Sequence, residues 1–328
     1  MDPLLREFAS PFERMSLVEA SILLVETYGI DATALARLDT ERDDTFRVTT
    51  ATGSYVLKVA HPDDDPLLTN LQTAAMSFAA ELEPSLPLQS LVHSLDGDIE
   101  VTVAHAGRER VARLLTWLDG VPLFELTPTG PQLTRLGATL GTLSTALSTF
   151  DHPAAHREFV WDAAQLPLVR GLLDEYPMAE TRAAFDLFDE KIAPRLASLP
   201  RQVIHNDFHH GNVLADPASP GFVTGVIDFG DVVHTVRIAD LAVALSYLHY
   251  PSNETQAGVD AFVAGYESQV PLLDAEREVL PGLVAARCAQ RILINLHLGR
   301  GTPDDRAAAA RGAEGVRHAL GKLLDTEE

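Results

Sequence analysis

Cysteine is all but missing from this 328-residue chain, and Cys288 is its one representative. A lone thiol excludes an intramolecular disulfide and a cysteine-built zinc site, and it fits a reducing compartment. Basic residues are also short, 25 against 47 acidic ones, for a formal charge of −22. Nucleic acid must be met by a basic face, so that deficit argues against a nucleic-acid partner. It equally disfavours an anionic membrane surface, and a sheath of carboxylates mainly keeps a protein soluble. Lysine occurs only at Lys58, Lys191 and Lys322, which makes each one worth inspection. No apolar run is expected to reach the ~18–20 residues of a spanning helix. The start, Met1-Asp2-Pro3 with Arg6 and Glu7 close behind, lacks the apolar stretch of a secretory signal. A cytoplasmic location is the expectation. What is plentiful is apolar surface: 46% hydrophobic against 22% charged residues is enough to bury a real core.

The pattern changes character part-way along. Residues 16–28 carry apolar positions at helical spacing behind Ser16 as N-cap, with Gly29 as the stop. Residues 33–38 are β-compatible. After a polar run at 39–45, TFRVTT (45–50) and SYVLKVA (54–60) alternate around Ala51-Thr52-Gly53 and read as a β-hairpin. A helix over 66–82 and strands near 88–94, 98–104 and 109–117 complete the first stretch. Beyond Gly120 helices are expected at about 131–149, 163–173, 179–197, 237–249, 256–268, 274–298 and 304–325. The Asp119-Gly120 and Pro122 signals mark a lobe boundary, giving lobes 1–118 and 119–328.

One stretch interrupts the helical half. RQVIHNDFHHGNVLAD (201–216) and FVTGVIDFGD (222–231) each have a short apolar run ending in acids, which places Asp207, Asn212, Asp228 and Asp231 in an unusual setting. Phosphoryl transfer needs little covalent work from a protein. It needs a cation for the inner phosphates, oxygen ligands for Mg²⁺, and a carboxylate to orient the attacking hydroxyl and take its proton. The chain offers these parts in order: Lys58 on a strand, Asp207 with Asn212 five residues on, then Asp228-Phe229-Gly230.

HNDFHHGNVLAD resembles the HxDxxxxN catalytic loop of the aminoglycoside phosphotransferase and choline kinase superfamily, and VIDFGD its metal-binding strand end. The spacing between them, and Ala239-Asp-Leu-Ala242 beyond, are similar too. TERDDTF (40–46), YVLKVA, Gln72 and RLLTWLDGVPL (113–123) most resemble the hydroxylysine kinase branch. The resemblance covers nearly the whole chain. It implies an α+β, protein-kinase-like two-lobed fold, with an antiparallel-sheet first lobe, a mostly helical second lobe and a nucleotide between them. It also implies a small-molecule kinase acting on a hydroxyl of an amino acid or amino alcohol, with Mg²⁺ as cofactor and ATP or GTP as co-substrate. Carried over, Asp207 is the base or hydroxyl-orienting residue, Asn212 and Asp228 hold Mg²⁺, and Lys58 contacts the α/β-phosphates. The turn from Arg42 to Thr45 stands in for a glycine-rich loop, and backbone groups of Thr116, Trp117 and Leu118 meet the purine. His205 is a structural member of the loop.

Two departures stand out. Gln72 occupies the place where kinases carry a glutamate for the strand lysine, and Asp44 with Thr45 replaces Gln-Asn in the branch's loop, where a carboxylate would repel phosphate. Other readings of these residues are weighed against this one. Asp207 and Asn212 are common turn formers. His205 and His209 have the i, i+4 spacing of a zinc helix, but Gly211 and the strand-like VIH oppose a helix there. Cys288 reads as a buried apolar residue. Other acceptors are aminoglycosides, homoserine, choline and ethanolamine. An inactive nucleotide-binding module on the same fold is the alternative of another class. For an acceptor that is an amino acid, Arg237 or Arg291 is a candidate for its carboxylate.

Overall fold

The structure, a computed structural model, describes residues 12–40, 42–248, 256–299 and 303–325. The N-terminal residues read above as no signal, Glu41 of the TERDDTF stretch and residue 249, the expected end of one helix, lie outside the described residues. The chain divides into two compact units between Asp119 and Gly120.

The first unit opens with α1 (Leu17–Tyr28). Ser16 and Glu19 form a reciprocal capping box at its start, and Gly29 closes it in the left-handed conformation. A sheet follows: β1 (Ala34–Leu38), β2 (Asp44–Thr49), β3 (Ser54–Val59), β4 (Leu91–Val92), β5 (Val101–His105) and β6 (Arg108–Thr116). All pairings are antiparallel, in the order β1-β2-β3-β6, with β4 and β5 both on the far edge of β6. Phe46, Val48, Leu57, Val59 and Leu114 are buried with Leu24 of α1, so alternation along β2 and β3 builds one core face. The strands expected at 88–94 and 98–104 are shorter than the pattern suggested. Between β3 and β4 runs α2 (Pro66–Leu82), started by Asp65, which accepts from Leu67 N, and by proline in its first turn.

The second unit holds β7 (Val121–Pro122), α3 (Gly130–Leu147), α4 (Leu172–Glu175) and α5 (Ala179–Leu187). Then come β8 (Arg201–Ile204), β9 (Val213–Ala215), β10 (Val223–Val226) and β11 (Val233–Val236), and last α6 (Ile238–Leu248), α7 (Gln256–Glu267), α8 (Asp274–Leu298) and α9 (Pro303–Asp325). Two expected helices are corrected. Residues 163–173 form 3₁₀ turns up to Val169, with Pro167 denying a helical N–H, before the single turn of α4. Residues 179–197 leave α-geometry after Leu187, passing through a π turn and then 3₁₀ turns around Pro194. A third correction concerns apolar runs, because α8 is by length and composition long and apolar enough to cross a membrane. Its apolar side chains are nevertheless mostly buried within the unit, among them Val279, Leu283, Ile292 and Leu293. It packs on α5, α6 and α9 as a core helix.

Candidate active site

Two short ladders position the stretch that carries Asp207, Asn212 and Asp228. β8 pairs with β11, Ile204 opposite Val233, and β9 pairs with β10, Val213 opposite Val226. The first pairing brings the chain leaving β8 beside the chain entering β11. The second is continued by Ile227 N donating to Asn212 O at 3.0 Å, which sets Asn212 next to the Ile227-Asp228 turn. The β11 strand was not expected from the sequence, yet it closes the arrangement. Two non-glycine residues take left-handed backbone at the bends, Asn206 (φ 63°) and Asp228 (φ 64°). Asn and Asp tolerate that conformation better than other side-chain-bearing residues.

Asp207 is held from several sides. Asn212 Nδ2 donates to its Oδ2 at 2.6 Å and to its backbone O at 3.1 Å. Arg287 Nη2 approaches its Oδ1 at 3.4 Å, and His209 Nε2 lies 3.5 Å from its Oδ2. Asp207 N donates to His205 Nδ1 at 3.2 Å. Burial above all, then repulsion from Asp231 and Asp228, drives the Asp207 carboxyl well above the usual carboxylate range, against the opposing pull of Arg287 and Asn212. A carboxylate raised in this way is a stronger base toward a hydroxyl than a solvated one.

The loop is anchored from behind by Asp240 in the first turn of α6. Its carboxylate accepts Asn206 N at 2.8 Å and His205 N at 3.4 Å, and burial pushes its pKa up to about 7. His205 is fully buried with Phe229 edge-on at 4.7 Å. Burial lowers its pKa to about 4, although Asp228 and the Ile227 carbonyl favour the proton. Arg287, 1% exposed, donates Nη1 to the Trp161 carbonyl and lies over the Trp161 ring at 4.9 Å. Asp240, Trp161 and Arg287 were not assigned roles from the sequence. The ADLA stretch was the only signal pointing at any of them.

Asn212 and Asp228 are suited to a hard divalent ion. With its amide nitrogen committed to Asp207, Asn212 keeps its side-chain oxygen for another partner. Asp228, next in the chain to Ile227 whose N–H binds the Asn212 carbonyl, carries an anionic oxygen and accepts Gly230 N at 3.3 Å. One neutral and one anionic oxygen, completed by phosphates, is an ordinary Mg²⁺ set. No cluster of three or more His, Cys, Asp or Glu able to hold a metal occurs among the described residues.

In the first unit Lys58 lies on β3, opposite Thr45 of β2 on one side and Arg113 of β6 on the other. Gln72 Oε1 accepts from Arg113 Nη2 at 3.1 Å, a partner the sequence did not suggest. Asp44 is fully buried and does not present its carboxylate as expected. It takes Met15 N at 2.9 Å, Arg110 Nη1 at 2.8 Å and Arg37 Nη1. Burial alone would raise its pKa, but these donors outweigh it and the net shift is downward. The expected repulsion of phosphate by Asp44 is therefore corrected: its charge is spent inside the fold. Thr45 is buried beside it, and Arg42 Nε donates to Asp64 Oδ1 at 2.6 Å. Thr116 N donates to Ser90 O at 2.9 Å, its hydroxyl accepts Ser90 N at 2.9 Å, and its carbonyl accepts Gln89 Nε2 at 2.9 Å. Trp117 N donates to Ser54 O at 3.1 Å, and Arg47 covers the Trp117 ring at 4.2 Å. Leu118 follows directly, at the end of this unit. Arg237 is also corrected as a carboxylate reader, since it grips buried Glu276 through two 2.7 Å bonds.

Comparison with known proteins gives the chain's family and its fold relatives. A family described as the phosphotransferase enzyme family matches residues 35–279. Hydroxylysine kinase of Mus musculus is 27% identical over 305 residues, covering 84% of this chain and 80% of that one. Homoserine kinase of Hyphomonas neptunium is 31% identical over 239 residues, 66% of this chain and 67% of that one. Among solved structures, a microcompartment-associated aminopropanol kinase superposes with a TM-score of 0.76 at 22% identity, covering 95% of this chain and 98% of that one. The fold is the expected kinase-like α+β architecture, and the chain belongs to the phosphotransferase enzyme family as a small-molecule kinase.

Proposed function

We propose that this kinase transfers the γ-phosphoryl group of ATP or GTP to a hydroxyl of an amino acid or amino alcohol, with Asp207 as the base. The observation that carries this reading is the Asp207 carboxylate, pinned by Asn212 and raised by burial, with the Asn212 carbonyl held by the N–H of Ile227, the residue before Asp228. Asp207 accepts the hydrogen bond of the acceptor hydroxyl and takes its proton as the oxygen bonds to the γ-phosphorus and the bond to the departing nucleoside diphosphate breaks. Asn212 holds the Asp207 carboxylate in place, so little reorganisation is needed at the moment of transfer. Asn212 and Asp228 hold Mg²⁺, which when bound neutralises charge on the phosphates. Lys58 supplies a fixed positive charge for the inner phosphates. The acceptor class is supported by relatives named hydroxylysine kinase and homoserine kinase and by a structural neighbour named aminopropanol kinase.

The test is purified protein with Mg²⁺ and ATP or GTP against 5-hydroxylysine, homoserine, serine, threonine, choline, ethanolamine and kanamycin. Preferred turnover of a hydroxylated amino acid or a small amino alcohol is expected. Robust turnover of kanamycin with none of the others would overturn the acceptor class.

A further inference from the structure

Among the described residues four arginines are buried: Arg110, Arg113, Arg287 and Arg291. Three of them have a carboxylate within 4.0 Å. Arg110 faces Asp44 at 2.8 Å, Arg113 faces Asp43 at 4.0 Å, and Arg287 faces Asp207 at 3.4 Å. Arg291, 6% exposed, has no such carboxylate among the described residues. Its Nη1 donates to the Ser246 carbonyl, and its guanidinium carbon lies 3.5 Å from the centroid of the Tyr247 ring. A desolvated guanidinium with a ring and a carbonyl but no counter-charge is incompletely compensated, and its planar fork suits a carboxylate.

Its position gives that vacancy a meaning. Arg291 follows Arg287 by one turn of α8, and Arg287 touches Asp207. From the other direction, His209 lies 3.5 Å from Asp207 and stacks on Tyr247 at 4.6 Å, while His210 stands edge-on to the same ring at 5.2 Å. His210 Nδ1 is itself buried without a hydrogen-bond partner among the described residues. A continuous group of side chains therefore runs from the base to the unmatched cation.

We propose that Arg291, set on the Tyr247–His209 stack, binds a carboxylate of the phosphoryl acceptor, so that the acceptor is a hydroxylated amino acid rather than an amino alcohol. The inference rests on the kinase reading above and narrows its acceptor. Sequence had left Arg237 and Arg291 equal; the Glu276 pairing of Arg237 removes one of them.

The experiment compares acceptors that differ in the carboxylate: homoserine with 3-aminopropan-1-ol, which is homoserine without it, and 5-hydroxylysine with its methyl ester. Kinetics are measured with Mg²⁺–ATP and Mg²⁺–GTP. Binding is measured by calorimetry with a non-hydrolysable nucleotide present. The carboxylate-bearing member should be favoured about 10–100-fold, mainly in KM and in affinity, the scale of a charge-assisted hydrogen bond. Arg291→Met should erase that ratio and Arg291→Lys should restore part of it. An Arg291 that merely braces α8 against α6 would instead lower both members of a pair alike, and that result overturns the inference. So does equal or better binding of the carboxylate-free compounds to the wild-type protein, a comparison that decides the matter even if Arg291→Met does not fold. Absence of any phosphoryl transfer with the carboxylate preference intact in calorimetry would defeat the kinase reading and leave the carboxylate site standing.

Discussion

Replacing Gly137 by alanine should destabilise the second unit, although the same exchange usually strengthens a helix. A Cβ at Gly137 of α3 would stand 1.9 Å from the Phe262 carbonyl oxygen of α7, 2.8 Å from its carbon and 2.9 Å from Tyr266 N. These are backbone atoms, so no rotamer change relieves them. Ordinary contact begins near ~3.5 Å, and α3 and α7 must therefore part locally by about 1.5 Å. Parting loosens the bond between Ser144 and the Tyr266 hydroxyl (3.3 Å), and with it Gln202, which donates to the Ser144 carbonyl at 2.6 Å from β8. Overpacking of this kind costs up to about 3 kcal/mol, and the helix propensity of alanine returns about 1 kcal/mol. The net loss is about 2 kcal/mol. Gly312→Ala on α9 is the control, because nothing lies within 4 Å of its Cβ, and it should gain up to ~1 kcal/mol. Gly265→Ala strikes the same crossing from α7, with Thr134 O at 2.0 Å, so the Gly137/Gly265 double variant should lose less than the sum. Urea unfolding followed by circular dichroism reads the midpoints. A Gly137→Ala midpoint equal to or above that of the wild type would refute the close crossing.

Asp207→Asn should lower turnover by about 10²–10⁴ while nucleotide affinity, measured by calorimetry, changes little. Asp228→Ala should abolish Mg²⁺-dependent turnover and weaken Mg²⁺–nucleotide binding together, and Asn212→Ala should do the same more mildly; unchanged binding in Asp228→Ala would place the metal elsewhere. Asp44→Ala should cost about 3–5 kcal/mol in urea unfolding, since it strands buried Arg110. Near-neutral stability would refute its structural role. His205, held neutral with a pKa near 4 in the fold, takes up its proton more readily when unfolded, so its contribution to stability is complete above about pH 6.5 and is lost as pH falls toward 4. In His205→Gln the stability curve between those pH values should be flatter than in the wild type; an identical slope would remove His205 as its source.

The sequence by itself determined what depends on neighbours a few residues apart. The β2–β3 hairpin around Ala51-Thr52-Gly53, the Ser16 cap and Gly29 stop of α1 and the start of α2 at 66 are local alternation, capping and turn chemistry, and they stand where the pattern put them. The juxtaposition of Asp207 with Asn212 was legible for the same reason, being five residues long. Its link to Asp228 was legible only through the resemblance, because the β9–β10 register that makes it is a pairing between strands. Tertiary structure alone decided the rest. Arg287 reaches Asp207 across 80 positions, Arg110 reaches Asp44 across 66, and Arg237 is withdrawn from any ligand by Glu276 39 positions away. Whether a charge faces solvent, a partner or a ligand depends on which elements bury it, and no local period encodes that. Prolines 167 and 194 show the limit from the other side: apolar spacing predicted helices through both, and the missing N–H broke each into tighter or looser turns.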